Sequence, residues 1–300
     1  MTVAVRYPLK FQAGARTLFA IHRPLIRIAF SLNMATAAEA PRLPPLGSAA
    51  GYVVTSIPET LVDRLRADGL IVHVRQNYTR YFADFSDGFD AYMAHFSSKS
   101  RATLKRKLKR YAELSGGVVD VRGYRTPDEV AAFVDAALPV SRKSYQHRLL
   151  NAGLPDSDAA RGEMATLAGA DRVRAFLLFR DGQPVAYLYM PVVDGTLIYA
   201  YLGFDPDEAE HSPGTVLQIE AIRMLTEEGR YGRLDFTEGE GQHKRLFSTG
   251  GVACADVLLL CPTIGNRVLI AALRRFDALV ANLKRLSGTQ AFAWLKTLRR

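Results

Sequence analysis

The sequence predicts an α+β fold in which a central sheet, mixed but mostly antiparallel, is flanked by helices. Three strand-like segments, RVRAFLLFR, PVAYLYMPVV and TLIYAYLGF, are joined at Asp181-Gly182 and Asp194-Gly195. Asp-Gly is a dipeptide that two-residue hairpin turns prefer, so the segments form an antiparallel meander. A helix from Pro213 to Glu228, closed by Gly229, and the strand RLDFTE follow, an order typical of an α+β domain.

The elements before the meander are predicted from their periodicity and their end signals. GYVVTSI, LIVHVRQ and the alternating YTRYFADFS are predicted strands. A helical region is predicted from Phe89 to Leu114, with Gly116-Gly117 as its stop. VVDVRGY is the next strand, and Thr126-Pro127-Asp128-Glu129 starts a helix with a capping Thr and acids in the first turn.

Two parts of the chain have weaker patterns. Residues 141–161 are polar and irregular, and we interpret them as a candidate substrate loop. The chain from Arg267 onward is predicted to be mostly helical.

The charge of the chain favours an anionic partner. The sequence has 39 Lys and Arg against 30 Asp and Glu, a formal net charge of +9. A generally basic soluble protein shares this balance, so the alternative stays open. Cys254 and Cys261 fit neither a CxxC metal site nor a disulfide framework, and the six histidines form no HExxH-type pair. We therefore expect no metal and a cytoplasmic protein.

Residues 1–50 are predicted to be a basic arm with a Pro- and Ala-rich linker, which leaves residues 51–300 as one domain. The first 38 residues carry five basic residues and no acid. Charges and a proline interrupt LFAIHRPLIRIAF, so it is neither a secretory signal nor a transmembrane segment. The arm packs on or trails from the domain, forms an interfacial amphipathic helix, or is an organelle-targeting peptide; it is the candidate for peripheral membrane contact.

The segment His211-Ser212-Pro213-Gly214-Thr215 is a candidate anion site. Ser212 is placed as the N-cap and Pro213 as the first helical residue. The first turn of a helix has N–H groups without internal partners, and Gly214 leaves room for a ligand. An ordinary capped helix is the alternative. The acidic residues 205–210 before it suit an amine or solvent better than a phosphate.

A second candidate group lies in LDFTEGEGQHKRLFS. Asp235 and Glu238 flank the end of a strand, and His243 and Lys244 follow a glycine-rich turn. A carboxylate beside such a turn can deprotonate an amine directly or through water, and Lys244 can hold a phosphate or carboxylate. A solvated polar loop is the alternative.

A third feature is a basic helix within residues 99–110. No acid occurs between Asp90 and Glu113. Leu104, Leu108 and Tyr111 form one buried stripe. The basic residues are Lys99, Arg101, Lys105, Arg106, Lys107, Lys109 and Arg110. Charges of one sign repel each other, so we expect an anionic partner such as tRNA, the CoA phosphates, a glycan or lipid headgroups, with a solvated face as the alternative.

Three segments together resemble the GNAT acyltransferase superfamily. They are FSSKSRATLKRKLKRYAEL, GQPVAYLYMPVVDGTLIYAYLGFDPDEAEHSPGTVLQIEAI and LDFTEGEGQHKRLFSTG, all within residues 95–250. More narrowly, the chain resembles the GNAT-type branch linked to bacterial cellulose and exopolysaccharide biosynthesis, and it is similar to Fem-type peptidyltransferases. It departs from the usual GNAT signature, since HSPGT has one glycine and no arginine.

The resemblance implies a GNAT-like fold and an acyl-CoA-dependent N-acyltransferase in which an amine attacks the thioester directly. The pantetheine and pyrophosphate of acetyl-CoA or another acyl-CoA would lie against Leu202, Gly203 and residues 211–215. Backbone N–H groups around Tyr201 to Gly203 would polarise the carbonyl. Candidate catalytic residues are Glu238, Asp205, Lys244 and Tyr201. For Asp205 a turn cap before Pro206 is the alternative, and for Tyr201 core packing.

The acceptor would be an amine of a small molecule or of an envelope or polysaccharide precursor. Two other functions stay open. A Fem-type transferase would take an aminoacyl group from charged tRNA, with the basic helix as the tRNA footprint. A non-catalytic protein with a GNAT-like scaffold would bind a ligand without transferring any group.

Overall fold

The computed structural model describes residues 4–13, 16–144, 153–239 and 241–288. The chain divides into two compact units. The first comprises residues 1–30, 34–77 and 253–300, and the second comprises residues 31–33 and 78–252. This division differs from the predicted boundary at residue 50, because the N-terminal segment pairs with strands that come later in the chain.

The first unit is built on strands from both ends of the chain. β1 (Val5–Ala13) and β2 (Arg16–Ala29) form an antiparallel hairpin. β2 pairs in parallel with β3 (Gly51–Pro58), which pairs antiparallel with β11 (Gly250–Leu260). The segment predicted as a basic arm is therefore a strand hairpin, because its apolar residues alternate and one face is buried. Leu9 shows this alternation, since it is buried while its neighbour Lys10 is exposed.

Helices and one further strand complete this part of the chain. They are α1 (Leu32–Ala37), α2 (Glu59–Val62), a 3₁₀ helix (Asp63–Asp68), β4 (Ile71–Asp84) and α9 (Ile264–Gly288). The predicted strands LIVHVRQ and YTRYFADFS are one strand, β4, because Asn77, the single residue between them, stays extended. None of the helices in the described ranges has both the length and the apolar run that crossing a membrane requires.

The second unit contains the meander. Its strands are β5 (Asp120–Tyr124), β6 (Val173–Arg180), β7 (Gln183–Val193), β8 (Thr196–Ile198), β9 (Tyr201–Phe204) and β10 (Arg233–Asp235). The order across the sheet is β10-β8-β7-β6-β5, and β9 also pairs with β7. The β8–β10 pair is parallel and the other pairs are antiparallel, which confirms the predicted mixed, mostly antiparallel sheet.

Helices cover both faces of this sheet. They are α3 (Phe89–His95), α4 (Ser98–Leu114), α5 (Pro127–Lys143), α6 (Asp158–Gly169), α7 (Pro213–Glu228) and α8 (Gln242–Phe247). One hydrophobic core joins α3, α4 and α7 to one face, and a second core joins α5 and α6 to the other. Part of the predicted substrate loop, residues 145–152, lies outside the described residues.

The turns and helix ends follow the sequence signals. Asp181 and Gly182 have φ of 50° and 75°, and Asp194 and Gly195 have 49° and 71°, as the predicted hairpin turns require. The predicted helix start at Thr126 is confirmed with a capping box. The predicted helix from Phe89 to Leu114 is two helices, because the Ser97 Oγ accepts the Ser100 N–H at 3.2 Å and starts a new one.

Gly203 allows β9 to pass over Tyr187. A Cβ at residue 203 would lie 2.5 Å from the Tyr187 Cε1 and 2.7 Å from its Oη. The Tyr187 ring cannot move easily, because it is fully buried and its hydroxyl bonds the Ser141 Oγ at 3.0 Å. The glycine is therefore a packing requirement of the sheet.

We expect Gly203→Ala to lower the free energy of unfolding by about 1–3 kcal/mol, as overpacking does in a tight core. Gly162→Ala is the matched control, because Gly162 lies inside α6 with no atom within 4 Å of the new Cβ. It should instead stabilise by about 0.5–1 kcal/mol. Urea denaturation measures both, and a Gly203→Ala protein as stable as the wild type would contradict this view of β9.

Candidate functional site

A β-bulge separates β8 from β9. On β8, Leu197 stands opposite Val192 of β7. On β9 the register against β7 is displaced by one residue. Tyr199 and Ala200 therefore both stand opposite Met190, where a regular strand would place one residue.

The bulge changes which side chains share a face. A register change of one residue turns every following side chain to the other face of the sheet. Tyr199, Leu202 and Phe204 pack with the core on the α7 face, whereas Tyr201 packs with the core on the α5 face. Gly203 lies on the same side as Tyr201, over Tyr187.

Beyond the bulge, β9 has an open edge. β10 pairs with β8 through Leu234 and Asp235 and then ends, so within the described ranges no strand pairs with the second edge of β9. The Asp205 N–H donates to the Val185 carbonyl at 2.8 Å. Backbone groups alternate along an antiparallel pair, so the N–H of Leu202 points away from β7 and toward the open edge, as does that of Phe204.

The helix after β9 begins where the sequence predicts. α7 starts at Pro213, and the Ser212 carbonyl accepts the N–H groups of Thr215 and Val216 at 3.0 and 3.1 Å. Ser212 takes a left-handed conformation with φ of 56°, and its side chain makes no capping hydrogen bond. The predicted N-cap position is confirmed, but the main chain alone caps this helix. The Gly214 N–H has no hydrogen-bond partner among the described residues.

Gly214 brings the start of α7 against β9. A Cβ at residue 214 would lie 3.3 Å from the Leu202 Cδ2 and 3.4 Å from the Phe204 Cδ1. The missing side chain thus makes room for the protein's own strand, and that it also leaves space for a ligand stays a prediction. The consequence is that the first turn of α7 and the open edge of β9 are neighbours.

Buried polar atoms without partners surround β9. In the described part of the second unit they include the Nδ1 of His211, the Nε2 of Gln218 and the Oη of Tyr189. Gln218 is fully buried on α7, and its Oε1 accepts the Tyr199 hydroxyl at 3.3 Å. Unpaired buried donors cost stability and often mark ligand sites. The sequence signal for Gln218 is its polarity inside the apolar run VLQIEAI.

Asp205 is held in a turn. Its Oδ2 accepts a 2.8 Å bond from the Lys143 Nζ, and its Oδ1 accepts the Asp207 N–H at 3.2 Å. Burial raises the pKa of Asp205, but these two hydrogen bonds and the Lys143 charge outweigh it and lower the pKa below its ordinary value. This geometry suits the turn cap that was the alternative to a catalytic base.

The turn after β10 is organised by Lys244 and Asp235. The Lys244 Nζ donates to the main-chain carbonyl of Glu238, whose side chain is exposed. Burial lowers the pKa of Lys244, and the charges of Asp235 and Glu238 partly oppose this. Asp235 is fully buried; it accepts bonds from the Arg80 Nε at 3.0 Å and the Thr237 N–H at 2.8 Å. Asp235 therefore anchors the turn, while Glu238 faces outward.

His243 connects this turn to the bulge. Its ring centroid lies 5.4 Å from that of Tyr199 and 5.2 Å from that of Phe247. Desolvation among these rings and the Lys244 charge lower the pKa of His243, so the imidazole is neutral at neutral pH. α8 is thereby placed beside the same Tyr199 that contacts Gln218.

The four candidate catalytic residues do not form one cluster. Glu238 and Lys244 share the turn after β10, and Asp205 lies at the end of β9 with Lys143. Tyr201 faces the α5 side, with its ring 6.2 Å from that of Tyr189. The cofactor-binding candidates, by contrast, are contiguous, since Leu202 and the first turn of α7 touch.

The basic helix presents its charges outward. α4 packs against α7 and against the 3₁₀ helix Pro206–His211, with Leu104 and Tyr111 buried. Of its seven Lys and Arg residues, Lys109 forms an ion pair within the described ranges, a 3.9 Å contact with Glu113 in which both groups are exposed. Most of the positive charge of α4 therefore has no ion-pair partner among the described residues.

Comparison with known proteins identifies the fold. Residues 98–245 match the family model described as an acetyltransferase (GNAT) domain. FemX is similar in structure, with 9% identity, a TM-score of 0.53, and coverage of 86% of this chain and 88% of that chain. No curated protein matches this chain significantly in sequence.

A second similar structure is the C-terminal domain of a protein from Agrobacterium fabrum that is assigned as a lysylphosphatidylglycerol synthetase. The identity is 16% and the TM-score is 0.51, with coverage of 78% of this chain and 73% of that chain. At such identities the likeness shows the fold alone. The chain therefore has a GNAT fold, and the family match supports an acyltransferase as its general class.

We expect Asp205→Asn to destabilise the protein in a pH-dependent way. Because the pKa of Asp205 is lowered in the folded protein, its carboxylate stabilises the fold at pH values above 3.8, the ordinary pKa. This stabilisation is lost as the pH falls through the lower pKa of the folded state. The loss of unfolding free energy caused by the substitution should therefore be largest near neutral pH and shrink below pH 3.8. Urea denaturation across this range measures it.

Asp207→Asn is the matched control, because Asp207 is a neighbouring carboxylate that forms no ion pair among the described residues. Its effect on the unfolding free energy at neutral pH should be smaller. Equal effects of the two substitutions at every pH would show that the Asp205–Lys143 contact contributes nothing.

Proposed function

We propose that the protein is an acyl-CoA-dependent N-acyltransferase, in which an amine attacks the bound thioester directly. The observation that supports this best is the contact between the open edge of β9 and the first turn of α7. An edge N–H can donate to a thioester carbonyl, while the helix start offers N–H groups and a positive dipole end to a pyrophosphate. The orphaned Nδ1 of His211 adds a polar atom beside that helix start.

The proposed transfer needs few protein side chains. The amine nitrogen forms a bond to the acyl carbon, the carbon–sulfur bond breaks, and CoA leaves as the thiolate. The Leu202 N–H stabilises the negative charge that develops on the carbonyl oxygen. Main-chain donors of this kind are held by the β7–β9 pairing, so they need no reorganisation during the reaction.

Proton transfer is assigned to the turn after β10. Glu238 is exposed there and accepts the proton of the attacking ammonium, directly or through water. Lys244 fixes the main chain of that turn and holds an anionic group of a substrate. Tyr201 is the proposed acid for the thiolate, although its ring lies on the α5 side of β9. The acceptor is an amine of a small molecule or of an envelope or polysaccharide precursor.

A second candidate function is favoured by α4. Its basic residues are largely unpaired among the described residues, and α4 packs against α7 and the 3₁₀ helix before it, so it fits the phosphates of a charged tRNA. The donor would then be an aminoacyl ester, as in the Fem-type transferases that the sequence resembles. The same β9 edge would polarise the ester carbonyl, so the two candidates differ in donor and share the site.

We expect CoA to raise the melting temperature of the protein, and Thr215→Glu to weaken CoA binding at least ten-fold. Thr215 is the third residue of α7 and half exposed. A carboxylate there repels the pyrophosphate, yet Glu at this helix position favours folding. Thr215→Gln is the neutral control of equal size and should bind CoA as the wild type does. Calorimetric titration measures both.

The donors are distinguished by comparing CoA, acetyl-CoA and a long-chain acyl-CoA with bulk charged tRNA. Binding of tRNA alone, lost when Lys105 and Arg106 are changed to Glu, would replace the first candidate by the second. Normal CoA affinity in Thr215→Glu would place the pyrophosphate elsewhere. Binding of neither donor would leave a non-catalytic scaffold.

A further inference from the structure

The net positive charge of the protein comes from the first unit. Residues 1–30, 34–77 and 253–300 contain 17 Lys and Arg and 6 Asp and Glu, a formal net charge of +11. The second unit, which carries the candidate site, has 22 basic and 24 acidic residues, a net charge of −2. The net charge of +9 is therefore a property of the first unit, not of the unit that contains the basic helix α4.

Helix α9 of this unit exposes apolar side chains. Its inner face is buried through Leu269, Ile270 and Leu273. Its outer face carries Ile264, which is 83% exposed, and Val268, which is 64% exposed. Leu279 continues this outer face and is 57% exposed. Single exposed apolar residues are common, but several on one helix face mark an interaction surface.

The same outer face is cationic. Arg267 and Arg275 are exposed on α9 and form no ion pair with a described residue, whereas the exposed Arg274 donates to the Val72 carbonyl at 3.2 Å. The sole acidic residue in the α9 sequence is Asp277, which contacts Arg75 at 3.5 Å. The outer face of α9 thus combines aliphatic groups and positive charge without a carboxylate.

The β1–β2 hairpin extends this surface. Phe19 stacks on Phe11 at 4.2 Å, and Phe11 in turn contacts Phe276 of α9 at 5.3 Å. Leu18 and Phe19 are about half exposed, at 55% and 52%. Side chains alternate between the two faces of a strand, so Arg6 and Lys10 lie on the face opposite to Leu9, whereas the exposed Arg27 shares the face of Leu25, which packs in the same core as α9. The hairpin therefore adds the Phe19 ring and the Arg27 charge to the α9 side of the sheet.

We propose that the exposed face of α9 and the β1–β2 hairpin, together the α9–hairpin surface, dock the protein on an anionic lipid bilayer. Aliphatic side chains flanked by arginines suit the boundary between headgroups and acyl chains, where cations meet phosphates and apolar groups leave water. Nucleic acid fits less well, because the exposed Ile264, Val268 and Leu279 offer no π-face on which bases stack and the Phe19 ring is already stacked on Phe11. The proposal is independent of the acyl donor.

The test is co-sedimentation of the full-length protein with phosphatidylcholine vesicles that contain or lack phosphatidylglycerol. We expect binding with phosphatidylglycerol, weakened by salt, and little binding without it. Arg275→Glu should lower the partition coefficient more than five-fold, since one cation alone accounts for about five-fold. Val268→Asp should lower it at least as much. Val118→Asp is the control, because Val118 is equally exposed, at 71%, but lies in the second unit.

Circular dichroism establishes that the variants fold, as expected for exposed positions. Equal binding to both vesicle types, or binding unaffected by Arg275→Glu and Val268→Asp, would overturn the proposal. So would binding to RNA without binding to vesicles. A dimer in solution that Val268→Asp dissociates would show that a second copy covers this surface, and would overturn it as well.

Discussion

The β-bulge at Tyr199-Ala200 is the constraint on which the candidate site depends. One extra residue opposite Met190 displaces the register of β9, turns Leu202 toward α7 and Tyr201 away from it, and directs the Leu202 N–H to an edge without a strand partner in the described ranges. Without the bulge, Leu202 would stand opposite Tyr187 and its N–H would point to β7 instead of the open edge. The proposed chemistry therefore depends first on the strand register of β9 and only then on particular side chains.

The two glycines of this region serve the same geometry. Gly203 lets β9 pass the buried ring of Tyr187, and Gly214 lets α7 approach Leu202. Both glycines serve packing that places main-chain donors. A site built on backbone N–H groups tolerates the absence of the usual GNAT glycine-rich signature, because the helix start and the strand edge supply the donors. Buried donors such as the Gln218 amide add polarity around them.

The sequence predicts the parts of this fold that local chemistry controls. The Asp-Gly turns, the capping box at Thr126 and the limits of α7 at Pro213 and Gly229 follow from residues that need particular backbone conformations. The bulge could not be predicted, because Tyr and Ala carry no turn preference and the register is decided by pairing with β7. The sequence predicts an arm where the structure has the β1–β2 hairpin, because the basic residues interrupt the alternation of apolar and polar residues that is typical of a strand. One face of the hairpin is buried only once β2 pairs with β3, and that long-range pairing cannot be predicted from local sequence.

The most direct measurement of the central claim is the response of backbone amides to the acyl donor. The protein is titrated with CoA and with acetyl-CoA, and the amide resonances of Leu202, Gly203 and Gly214 are recorded. Comparing Leu202 with Gly203 distinguishes a response at the open edge of β9 from one at its paired edge. We expect the Gly214 resonance to shift with both ligands and the Leu202 resonance to shift further with the thioester. The Gly203 resonance should change little, because its N–H points to β7. Shifts confined to α4, or an unchanged Leu202 resonance with acetyl-CoA bound, would contradict the claim.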